Sequence, residues 1–370
     1  MKKFYAVLLT AAMVLSLTAC GGNGGNKDQT TSANANNTQE STPAQEESKA
    51  SAETKESAQT TEPAEAVETV QLNVAYMPNY ASLWSVLTAI DKGYFAEEGI
   101  EVKLWEFADG PSEIAAMEGG SIDLAYIGHG AHKLCINGQA TIFAPSSVHS
   151  TDKIIVLPSS GVTSIDDIAN LAGKKVAYNA GSSSETALNG ALTAAGITID
   201  DIDAYEMDAT NMVAAMSSGS VDACTAWNPY SIQIINNCEG AVELEFATNS
   251  VNLSSWICLP TYAEENRDIL IRFSRALYKA MDYSSKQENW DYAVGLYAKQ
   301  CAKDKEACLV ETGDAKWFSI DDIKSGIADN TMQDYYTKQQ QMFIESGNVE
   351  KEVPLENYVL FDVMQEALGN

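Results

Sequence analysis

Hydroxyl, imidazole and indole side chains recur in this chain where glycine or proline interrupts the local pattern. Gly181-Ser182-Ser183-Ser184-Glu185 sets three hydroxyls at the start of an apolar-periodic run. Free backbone N–H groups at a helix start, with hydroxyl donors beside them, suit carboxylate, sulfonate or phosphate oxygens. A plain helix cap reads from the same residues, so Ser182 fits the cap while Ser183 or Ser184 faces a ligand. Glu185 either meets an amine or ring N–H of a ligand or complements the helix dipole. Gly128-His129-Gly130 holds an imidazole between two glycines at a strand end, and His149 precedes an apolar strand. Trp227-Asn228-Pro229-Tyr230 offers an indole for stacking and an amide for hydrogen bonding. Tyr80 and Ser82 follow the first strand, and Trp256 reads as either cleft lining or core. His132 reads as a helix surface residue.

Other chemistries find little support. GxSxG is absent and the chain has three histidines, so a hydrolase triad is not indicated. Besides Cys20 there are six cysteines, Cys135, Cys224, Cys238, Cys258, Cys301 and Cys308, with no CxxC pair. Neither a metal nor a cofactor is expected, nor an enzyme. Cys301 and Cys308 either bridge in an oxidising compartment or remain separate thiols. A net charge of −28 opposes nucleic acid or an anionic membrane surface as ligand.

The N-terminus speaks to location. Lys2 and Lys3 precede an apolar stretch, Phe4 to Leu17, shorter than the roughly 20 residues of a membrane-spanning helix. Leu17-Thr18-Ala19-Cys20 resembles the bacterial lipobox, which implies a signal peptide over 1–20 and lipid on Cys20. Residues 21–69 are rich in Ser, Thr, Ala, Asn, Gln and Glu; they bury too little to offset ordering entropy and read as a disordered linker. As a coil, this tether reaches roughly 40 Å. The expected location is the extracytoplasmic face of the bacterial membrane.

The elements that must position these residues alternate. Val70 to Pro78 reads as a strand, followed by a helical pattern, the strand Glu101 to Phe107, a helix and the buried strand Ile122 to Ile127. A second cycle begins near Thr163 and includes the strand Lys175 to Tyr178. "MEGGSIDLAYIG" and "MSSGSVDACTAW" are similar phrases, so the pattern predicts two alike α/β lobes with mostly parallel sheets. Crossovers are expected near Lys153 to Leu157 and Ala247 to Ile257, with residues 70–154 and 258–370 in lobe 1 and 155–257 in lobe 2. Ligands of such sheets sit at the strand carboxyl ends. That rule gathers the loops carrying Tyr80, His129, Ser182 and Trp227 around one cleft.

"KGYFAEEGIEVKLWEF", "GSIDLAYIG", "DDIANLAGKKVAYNAGSSSE", "ALTAAGI", "SGSVDACTAWNPY" and "AEENRDILIRFSRALYKAMDY" resemble, in order, successive blocks of the nitrate/sulfonate/taurine-type solute-binding proteins of ABC importers. The resemblance covers roughly residues 70 to 300. It implies an α/β, two-lobed periplasmic-binding-protein fold of type II, hinged, monomeric, and delivering a small molecule to a membrane permease. Asn228 departs from the W-[DE]-P-[FY] phrase of those relatives, which removes a negative charge. A small sulfonate or other organic monoanion is the favoured ligand, held by neutral donors. A planar heterocycle, such as a thiamine pyrimidine precursor or riboflavin, is the alternative. A pyrimidine-synthase-like enzyme of the same fold group is remote, because this chain lacks clustered cysteines and carries an export signal.

Overall fold

The computed structural model describes residues 69–149, 152–244 and 251–369. Cys20, the signal segment and all of the linker but its last residue lie outside the described residues. Apolar runs bounded by turns form β1 (Val70–Tyr76), β2 (Ile100–Glu106), β3 (Leu124–Ile127), β4 (Thr141–His149), β5 (Lys153–Val156) and β6 (Lys175–Tyr178). They continue as β7 (Asp203–Glu206), β8 (Ala223–Ala226), β9 (Val242–Leu244), β10 (Asn252–Cys258) and β11 (Ala315–Trp317). The first sheet runs β11-β4-β10-β3-β1-β2 and the second β7-β6-β8-β5-β9.

Pairing fixes the strand directions. β1, β2 and β3 are mutually parallel, whereas β10 is antiparallel to both β3 and β4. In the second sheet β6, β7 and β8 are parallel, and β5 runs against β8 and β9. The reversed strands β5 and β10 are the first ones laid down after each passage between sheets. The chain leaves the first sheet at His149, joins the second at Lys153, leaves it at Leu244 and returns at Asn252. The expected divisions at 154/155 and 257/258 differ from this by a few residues. β5 lies wholly in the second sheet and β10 in the first, because each is hydrogen-bonded on both edges there.

Side-chain alternation explains the cores. Along β5, Ile154 and Val156 pack with Val176, Leu188 and Leu192 on one face, while Ile155 packs with Met212, Cys224 and Ile234 on the other. Covering helices on both faces make this second sheet a three-layer lobe. The first sheet is covered by C-terminal segments, led by the helix Arg267–Ser284. Its buried Leu270, Phe273, Leu277 and Met281 recur at helical spacing. Among the described residues no helix is long and apolar enough to cross a membrane. Cys301 and Cys308 are separate thiols. His132 is not on the surface as expected; it is 1% exposed, with its ring edge-on to Tyr336.

Candidate ligand-binding cleft

The two lobes face each other across a cleft of about 830 Å³, open solvent at its mouth included. From the first lobe come Asn79, His129, His149, Glu311, Asp314 and Trp317; from the second, Asp152, Lys153, Ser182, Ser183, Trp227 and Asn228. These residues sit at strand ends and helix starts. Asn79 follows β1 and caps the helix Tyr80–Leu83, its Oδ1 accepting from the Ser82 N–H at 2.9 Å. Gly110 and Pro111 open the helix Gly110–Glu118, capped by Asp109.

Of the residues singled out in the sequence, His129, His149, Ser182, Ser183, Trp227 and Asn228 lie on the cleft wall. Ser182 caps the helix Ser183–Ala194, accepting from the Ser184 N–H and donating to the Asn179 carbonyl at 2.7 Å. The other five lie outside the lining. Ser184 is fully buried, donating to the Thr225 carbonyl at 2.6 Å and accepting from the Asn179 N–H at 3.1 Å. Glu185 pairs with Lys133 and accepts from the Gly181 N–H at 3.0 Å. Ser82 donates to the Met77 carbonyl beneath the loop. Tyr80 and Trp256 are core residues: Tyr80 meets Trp317 edge-on at 5.1 Å, and Trp256 meets Tyr126 at 5.6 Å.

Burial sets the charge of the cleft. His129 is 4% exposed, and its pKa falls to about 3 through burial, assisted by His132, His149 and Lys133. Burial lowers His149 to about 4. Its Nε2 is shared by Ser147 Oγ at 2.8 Å, Ser254 Oγ at 2.9 Å and Tyr126 OH at 3.3 Å. Both imidazoles are therefore neutral at pH 7. Burial also raises the carboxyls: Asp152 to about 6, partly offset by the Ser183 hydroxyl; Asp314 to about 6, offset by Asn228 and Lys153; and Glu311 to about 7, offset first by Tyr297. Asp152 is 9% exposed and its Oδ2 has no hydrogen-bond partner. Among the described residues of the wall the one lysine, Lys153, is paired with Glu243 at 3.0 Å.

The cleft lining adds Asp152, Glu311, Asp314 and Trp317 to the residues expected from the sequence. Asp152 stands one residue before β5, where the charged start of "TDKIIV" was a usable signal. "VETGDAKW" lies in a C-terminal region that reads as helix, and only the return of β11 onto β4 brings it to the cleft.

Two sheets joined by exchanged strands, with a polar cleft between them, define the two-lobed, type II fold of periplasmic solute-binding proteins. The family described as NMT1/THI5 like matches residues 81–289, and the chain belongs to it. It is 27% identical over 299 residues to a binding protein of Brucella abortus (strain 2308), covering 80% of this chain and 92% of the relative. It is 29% identical over 241 residues to a Bacillus subtilis (strain 168) protein named for aliphatic sulfonates binding, covering 62% and 70%. The alkanesulfonate-binding protein of Xanthomonas axonopodis pv. citri, solved bound to MOPS, superposes with a TM-score of 0.61 at 20% identity, covering 80% of this chain and 99% of that one. That likeness is one of fold.

Proposed function

We propose that this chain is an extracytoplasmic solute-binding lipoprotein, anchored through Cys20, that captures a small molecule between its lobes and hands it to an ABC importer permease. The fold and the family support capture in the cleft. The lipobox-like phrase and the tether composition support the extracytoplasmic location and a permease partner at the membrane. A binding role is favoured over catalysis by the state of His149, whose two serine contacts lie behind the cleft lining. His149 Nε2 is already shared by three hydroxyls, and its lowered pKa makes it a poor general base.

For the ligand, one observation carries most weight: Asp152 brings an unpartnered, buried carboxyl oxygen to the cleft. A sulfonate or other anion beside it meets repulsion in a low dielectric, with a lysine that is already paired. A planar heterocycle bearing N–H donors satisfies Asp152 and presents its faces to Trp227 or Trp317. The cleft thus favours the heterocycle over the small organic anion. Thermal shift followed by calorimetry, across taurine, MOPS, nitrate, aminopyrimidines and riboflavin, tests this choice. Tight binding of a sulfonate with no response to any heterocycle would reverse it.

A further inference from the structure

We propose that the protein's own contacts, rather than ligand contacts alone, hold the two lobes together, and that Gly130 gauges how far they close. The inference rests on the fold and is independent of the ligand assigned above.

Among the described residues, three polar clasps cross from lobe to lobe. Lys133 Nζ pairs with Glu185, the two side chains being 9% and 18% exposed. The pair is anchored at both ends. Glu185 also accepts from the Gly181 N–H at 3.0 Å, and Lys133 also donates to Asn348 Oδ1 at 3.3 Å. Asn179 Nδ2 donates to Asp109 Oδ2 at 3.0 Å, tying the loop after β6 to the cap of the helix Gly110–Glu118. Asn228 Nδ2 donates to both carboxylate oxygens of Asp314, at 2.9 and 2.8 Å. Each clasp is a hydrogen bond with a charged partner, the stronger kind, and each exists only while the lobes touch.

Between these clasps the backbones meet. A Cβ on Gly130 would lie 2.1 Å from the Ser182 carbonyl carbon and from the Ser183 nitrogen. Both obstacles are main chain, so neither can swing aside. Gly130 is absent from the positive-φ glycines, so alanine suits its own lobe. The three atoms nearest to such a Cβ all belong to the second lobe, so it is lobe contact that the glycine admits. A side chain there acts as a wedge on the three clasps at once.

Spin labels at exposed Glu101 on β2 and Asp203 on β7, introduced as Glu101→Cys and Asp203→Cys in a Cys301→Ser background, report the separation of the sheets. The full chain is refolded from guanidinium to strip any bound solute and then measured by pulsed dipolar spectroscopy. The expected result is a narrow, short distance distribution that shifts outward in Gly130→Ala and further in Gly130→Val. Glu185→Ala and Asn228→Ala, each removing one clasp, shift it partly. A long or broad distribution before any of these changes, or no shift in Gly130→Ala, would overturn the proposal. Should circular dichroism show Gly130→Ala unfolded, the clasp variants decide: unchanged distances in both sink it. Ligand titration in the same samples reads the function separately.

Discussion

Asn228 on the second lobe donates to both carboxylate oxygens of Asp314 on the first, at 2.9 and 2.8 Å. The phrase this loop resembles carries an acid where Asn228 stands. Here an acid would face a half-buried carboxylate, so the amide is the side chain that matches Asp314. Asn228→Asp is expected to replace a charge-assisted hydrogen bond by a like-charge contact, costing about 1.5–3 kcal/mol at pH 8. Melting curves should show the loss shrinking at pH 5, where the pair shares a proton. Equal stability of the two proteins at pH 8 would rule the pairing out.

Asp152 supplies a pH signature. Burial raises its pKa from 3.8 to about 6, so the folded protein holds this proton more tightly than the unfolded chain. Its contribution to stability is fully present below about pH 4 and is lost as pH rises through 6. Asp152→Asn is therefore expected to be more stable than the parent at pH 8, by about 1–3 kcal/mol, and level with it near pH 4. A parallel pair of stability–pH curves would contradict this. Ligands that donate to Asp152 should also lose affinity below pH 6 in the parent and show a flat profile in the variant.

The serine run separates into two roles. Ser184 satisfies two buried backbone groups, so Ser184→Ala leaves one donor and one acceptor unpaired and should lower stability by about 1–3 kcal/mol. Ser183 lines the cleft and its hydroxyl hydrogen-bonds Asp152, so Ser183→Ala should lower stability less than Ser184→Ala does and weaken ligand binding about tenfold. Measuring both quantities on both variants checks the assignment, and a reversed order would show that the roles are exchanged.

Cys20→Ala is expected to block lipid attachment, leaving the precursor unprocessed or releasing the chain from the membrane fraction. Fractionation with mass spectrometry reads the result. A variant that stays in the membrane at the parent's mature mass would remove the anchor.

Local patterns were enough to locate much of this protein. The β6 strand, the helix start at Ser182, and the loops of His129 and Trp227 follow from apolar periodicity and from glycine and proline positions, which act over a few residues. Charge, cysteine spacing and the N-terminal segment needed composition alone. Tertiary structure decided which of three adjacent serines meets the cleft, because one residue of advance along a helix turns a side chain by about 100°. It also sent Tyr80 and Trp256 into the core, since aromatic burial depends on what packs from other elements. Above all, only the fold brought Asp152, Glu311 and Asp314 to one cleft. Asp152 and Asp314 are more than 150 positions apart in the chain. The return of β10 and β11 to the first sheet brings Glu311 and Asp314 to the cleft that Asp152 also lines, and the burial of these carboxyls raises the pKa of each.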